Sequence, residues 1–84
     1  MANWFDMLKE EMEHNGDDFF KKKCTLSEVE LKKTFDDGYG GTEGEPFTAW
    51  GENWVYFPIC YDGAEWIGSA PRSPCNKSML HQGG

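Results

Sequence analysis

The side chains able to do chemistry in this sequence are mostly acidic. Fifteen Asp and Glu against eight Lys and Arg give 84 residues a net charge of −7. General acid–base work near neutral pH falls most often to histidine, and the two histidines, His14 and His81, lie at the edges of expected structure. Neither adjoins a serine or cysteine in a nucleophile motif such as GxSxG. Paired carboxylates can divide into acid and base when burial splits their pKa values. The densest set, Asp36, Asp37, Glu43 and Glu45, is interleaved with Gly38, Gly40, Gly41 and Gly44, where exposure is expected instead. That stretch contains neither the GxxxxGK nor the GxGxxG phosphate signature, and its carboxylates repel phosphate. Its order also departs from the alternating Asp/Asn ligands of a calcium loop. Cys24, Cys60 and Cys75 show no CxxC or Cys/His zinc spacing. These residues point to no enzyme, no cofactor and no metal site.

Recognition is the chemistry left. Aromatics make up 15% of the chain, enough for large side chains to stabilise a small core. Clustered carboxylates beside aromatics suit a basic partner, because opposite charge steers encounter and rings supply the apolar anchor. The same charge argues against direct nucleic-acid binding, which needs clustered Lys and Arg, and against anionic membranes. Lys21 to Lys23, flanked by Asp17, Asp18 and Glu28, reads as a solvated face. No apolar run approaches the length of a membrane span, and the N-terminal stretch lacks the pattern of a signal peptide, so the expectation is a cytoplasmic protein.

The elements that must position these groups are legible in outline. A helix is expected over about 4–13, capped by Asn3 with Asp6 three residues on, burying Trp4, Leu8 and Met12 on one stripe and stopping at Gly16. A second is expected over about 26–35, opened by a Thr25–Glu28 capping box with a Cys24–Val29 staple. Phe19 and Phe20 anchor the turn between them. Strands are expected over about 46–50, 54–61 and 64–70. Asp62-Gly63 is a two-residue hairpin signal, and it fixes the register: Tyr61 opposite Ala64, Ile59 opposite Trp66, Phe57 opposite Gly68. Pro58 donates no ladder hydrogen bond and must face an unpaired edge or a bulge. The sheet face bearing Val55, Phe57, Ile59 and Trp66 is expected to meet the helices, leaving Trp54 and Tyr56 on the reverse face. Residues 75–84 show no periodicity and read as a mobile tail. The fold class is α+β, one domain of 1–84, two N-terminal helices on a three-stranded antiparallel meander.

The blocks FDDGYGGTEGEPFTAW and NWVYFPICYDGAEWIGSAPRSP, within about residues 4–74, resemble a family of small bacterial and prophage proteins. The resemblance implies no activity, cofactor or catalytic residue. It does imply a phage or mobile-element setting, in which small acidic proteins often inhibit host defence complexes. The expected function is therefore non-enzymatic: an acidic inhibitor that occupies a basic protein surface, with Asp36, Asp37, Glu43 and Glu45 steering and Tyr39, Trp54 and Tyr56 anchoring. The alternative is a binder of a nucleotide-like signal that stacks on the same aromatics.

Overall fold

The computed structural model describes residues 2–35, 44–61 and 64–81. It opens with a two-residue strand, β1 (Ala2–Asn3), that runs directly into helix α1 (Trp4–His14). Asn3 caps the helix as expected: its side-chain oxygen accepts from the Asp6 N–H at 2.8 Å, and its amide donates back to the Asp6 carboxylate at 3.0 Å. Trp4, Leu8 and Met12 form the buried stripe, the i, i+4, i+8 pattern of one helical face. At the other end Gly16 adopts φ +79°. The Gly16 N–H reaches the Glu13 carbonyl and the Asp17 N–H reaches the Met12 carbonyl, the paired closure of a Schellman motif.

A single 3₁₀ turn (Phe19–Lys21) follows, then β2 (Lys23–Cys24), a short helix α2 (Glu28–Leu31) and β3 (Thr34–Phe35). Here the structure corrects the expected helix over 26–35. Thr25 does not cap it, because β2 pairs with a later strand and draws Thr25 into that ladder: the Thr25 N–H donates to the Thr48 carbonyl, and its hydroxyl accepts from the Thr48 N–H, both at 3.0 Å. The capping box sits two residues on, between Ser27 and Glu30. The Ser27 backbone N–H, then its hydroxyl, hold the Glu30 carboxyl below its usual pKa. Val29 is exposed, so the expected staple does not form. Phe35 leaves the helix to pair with Ala2 and stack against Trp4, centroids 4.6 Å apart. Of the two adjacent phenylalanines only Phe19 is buried, and Lys22 bends back so that its ammonium stands 3.5 Å from the Phe19 ring centre.

The last three strands are β4 (Ala49–Trp50), β5 (Trp54–Tyr61) and β6 (Ala64–Pro71). With β2 they form a four-stranded antiparallel sheet in the order β2-β4-β5-β6, while β1 and β3 form a separate pair. The β5–β6 register is the one that a two-residue connection requires, from Tyr61 opposite Ala64 to Tyr56 opposite Ser69; the turn residues 62–63 lie outside the described residues. The expected strand over 46–50 shrinks to two residues. In this register the residue that would face Pro58 is Phe47, and Pro58 has no N–H to offer it. Phe47 instead turns into the core beside Trp4.

The α+β class holds: the described residues form one long helix, one short one and six strands in two sheets, in place of two helices on a three-stranded meander. The sheet faces are the reverse of those expected. Tyr56 and Ile67 lie in the core with Trp4, Leu8 and Met12, whereas Val55, Phe57 and Trp66 are half-buried outside that cluster, and Ile59, on their side of the sheet, is buried apart from it. The mixed face carrying Tyr56, Cys60, Glu65 and Ser69 wins because Tyr56 and Glu65 find polar partners beneath the helix layer. Residues 74–81 have no regular structure.

The left-handed Gly16 is tested directly. A Cβ there meets nothing within 4 Å, so Gly16→Ala carries a purely conformational penalty of about 1–2 kcal/mol, read as a lower urea midpoint with an unchanged slope.

Candidate functional site

Among the described residues two carboxylates are buried, Asp17 and Glu65, and burial of a charge demands several good donors. Asp17 follows the left-handed glycine, so its side chain turns back beneath the sheet. One oxygen accepts the Tyr56 hydroxyl at 2.7 Å; the other accepts the Asn53 N–H at 3.1 Å and the Asn53 amide at 3.4 Å. Gly51 lies against the same carboxylate, where a Cβ would overlap the Asp17 oxygen. Tyr56 is fully buried. Burial, reinforced by the bond to Asp17, pushes its phenol well above the ordinary value of 10.0. Glu65 accepts from the Gly44 N–H at 3.0 and 3.2 Å through its two oxygens, and a Cβ on Gly44 would stand 2.5 Å from the Trp4 ring. These carboxylates hold turns in place and present nothing to solvent.

The open chemistry lies elsewhere. β6 is the terminal strand of its sheet, and along its outer side two adjoining hollows of about 360 and 410 Å³ separate it from α1. Glu10, Glu11 and His14 wall the groove from the helix; Trp66 and Ile67 line both hollows. Trp54 and the C-terminal segment with Lys77 and Met79 close one end. The Lys77 ammonium stands 4.6 Å from the Trp54 ring centre, a cation–π distance. The groove therefore already accommodates a primary ammonium on an aromatic face, beside helix carboxylates. Lys9, Lys22 and Lys32 likewise lie over Phe20, Phe19 and Phe5. Cations held this way are drawn onto the protein's own rings.

The expected site residues divide three ways. Asp36, Asp37, Tyr39 and Glu43 lie outside the described residues. Glu45 is exposed but engaged, its carbonyl accepting from the Trp4 indole at 3.0 Å and its carboxylate 3.8 Å from the Lys33 ammonium. Trp54 is half-buried at the groove. Tyr56 cannot anchor a partner: it is 0% exposed and its hydroxyl is used by Asp17. Sequence reasoning missed Glu10, Glu11, His14, Trp66 and Lys77 as a group, because helix face, strand edge and tail meet only in the tertiary fold.

Among the described residues no cluster of three His, Cys, Asp or Glu side chains could hold a metal ion, and no helix is long and apolar enough to cross a membrane. The sequence matches no family model, and neither the curated proteins nor the solved structures yield a match.

Tyr56→Phe leaves a buried Asp17 oxygen without its hydroxyl partner and lowers stability by about 1–3 kcal/mol near neutral pH. The raised phenol stabilises the fold fully below pH 10, the ordinary value. Above it the unfolded phenol ionises while the folded one keeps its proton, so that stability is lost as pH rises toward the higher folded value. Denaturant titrations at pH 7 and above 10 check this: the gap between wild type and Tyr56→Phe narrows at high pH. Gly51→Ala, which drives a methyl into the Asp17 carboxylate, lowers the thermal midpoint more than Gly16→Ala does.

Proposed function

We propose that this protein is a small acidic, non-enzymatic binding protein, and that the groove between α1 and β6 takes a basic, extended segment of a partner protein. The observation that carries this reading is the Lys77 ammonium over Trp54, in a groove walled by Glu10 and Glu11. A lysine or arginine of a partner can make the same contact with Trp54 or Trp66, while the carboxylates supply steering and long-range attraction. The terminal position of β6 suits an extended chain, which adds to a sheet edge through its own main-chain groups. Lys77 then acts as an internal occupant that a partner displaces. A narrower version makes the partner a host defence complex whose basic surface normally grips nucleic acid, with this protein as its inhibitor.

The nucleotide-like ligand is the weaker reading. A phosphate needs cations close by, and the groove sets the single ammonium of Lys77 against two carboxylates, Glu10 and Glu11.

Titration of lysine- and arginine-rich extended peptides, followed by tryptophan fluorescence and calorimetry, tests the proposal. Binding weakens as salt rises, and Glu10→Lys with Glu11→Lys lowers affinity by roughly tenfold or more. Lys77→Ala raises it about two- to fivefold, since an exposed cation–π contact is worth roughly 0.5–1 kcal/mol. Salt-insensitive binding, or no binding of any cationic peptide, sinks it.

A further inference from the structure

The outer edge of β6 has a main-chain pattern that follows from its pairing with β5. The Arg72 N–H donates to the Asn53 carbonyl at 3.0 Å, in the same register that sets Val55 opposite Ala70 and Phe57 opposite Gly68. Bonded positions alternate along an antiparallel pair, so Trp66, Gly68 and Ala70 direct their main-chain groups to β5. Ile67 and Ser69 direct theirs to the other side, where β6 has no neighbouring strand among the described residues. Pro71 obeys the same parity. The N–H it lacks would have pointed outward, so the β5 ladder loses nothing there.

The larger hollow of the groove opens onto this edge. Trp66, Ile67, Gly68 and Ser69 all line it, although successive strand residues point to opposite faces. A space that touches both kinds lies against the rim of the sheet. Ile67 is buried in the core, and the Ser69 hydroxyl accepts from the Asn15 side chain at the end of α1 at 3.4 Å. These two side chains therefore mark the helix side. Residues of an added strand that stand opposite them point the same way, toward the wall formed by Glu10 and Glu11 and the Trp54 ring that holds Lys77. The residue between them points outward, beside Trp66. Charge selects the occupant. A second copy paired edge to edge would bring the Glu10 and Glu11 carboxylates of both chains together, in chains that each carry −7, whereas a basic strand meets them as counter-charges.

We infer, building on the groove proposed above, that the partner segment enters as a fifth strand of the main sheet. It bonds through its main chain to Ile67 and Ser69 and carries basic residues two positions apart, both turned to the helix side. Affinity then comes from main-chain bonds, and selectivity from the alternation of basic and other side chains.

Amide hydrogen exchange, followed by NMR on the full chain with a peptide alternating lysine and threonine, tests this. The Ile67 and Ser69 amides slow by about tenfold or more on binding, while Trp66 and Gly68, already bonded to β5, change little. The same residues rearranged so that the lysines are adjacent bind roughly fivefold more weakly. Ser69→Pro removes an outward donor without touching the β5 ladder and lowers affinity by about three- to tenfold. N-methylation of alternate peptide amides gives an independent check that leaves the protein unaltered: one of the two sets loses about tenfold in affinity and the other is tolerated. Peptide binding seen by tryptophan fluorescence without protection of Ile67 and Ser69, or with both N-methyl sets tolerated alike, overturns the added strand and leaves the groove as a side-chain site. Binding of no cationic peptide overturns both.

Discussion

The buried bond between Asp17 and Tyr56 is the constraint on which the rest of the arrangement depends. It joins the end of α1 to the middle of β5, and through Asn53 it also fixes the turn that leads from β4 into β5. A carboxylate in that position is unfavourable unless fully satisfied. The surrounding sequence supplies what it needs: a left-handed glycine to aim it, a glycine at position 51 to make room, and a phenol from the sheet. Tyr56 then has to face the helix, and the alternation of β5 and β6 turns Val55, Phe57 and Trp66 outward. The choice of sheet face thus follows from a polar contact, against the apolar count.

Glu65 plays the corresponding part at the other end of the sheet, where it receives the Gly44 N–H beside Trp4. With a carboxylate securing each end, the eleven-residue α1, joined by Phe19, Leu31 and Phe35 from the segments that follow it, suffices as the second layer. That layer covers one face only. A groove along a sheet edge, walled by helix carboxylates and lined by aromatic rings, follows from that economy.

Local signals in the sequence were accurate where the chemistry is local. The Asn3 cap, the Trp4–Leu8–Met12 stripe, the Gly16 stop and the β5–β6 register depend on neighbours within one element or one turn, and each is found as read. The second helix failed because Thr25 and Phe35 are recruited by distant strands, and tertiary pairing overrides capping preference. The face assignment failed for a related reason: counting apolar residues favours Val55, Phe57, Ile59 and Trp66, while the hydroxyl of Tyr56 gains its value only from Asp17, 39 residues away. The candidate site was legible only in kind, acidic groups beside aromatic rings, with Trp54 the shared member. Its carboxylates come from α1.

Separation along the chain also orders the steps of folding. The β5–β6 hairpin closes through a two-residue connection and can form on the microsecond scale typical of hairpins. The Asp17 contacts span 36 and 39 residues, and such closures carry the larger loop entropy. A hairpin formed first presents both of its faces equally, so the helix is not steered to one of them by apolar attraction alone. Asp17 supplies the steering. It makes docking of α1 a directional event, and it leaves the wrongly docked alternative with a buried carboxylate and no donor.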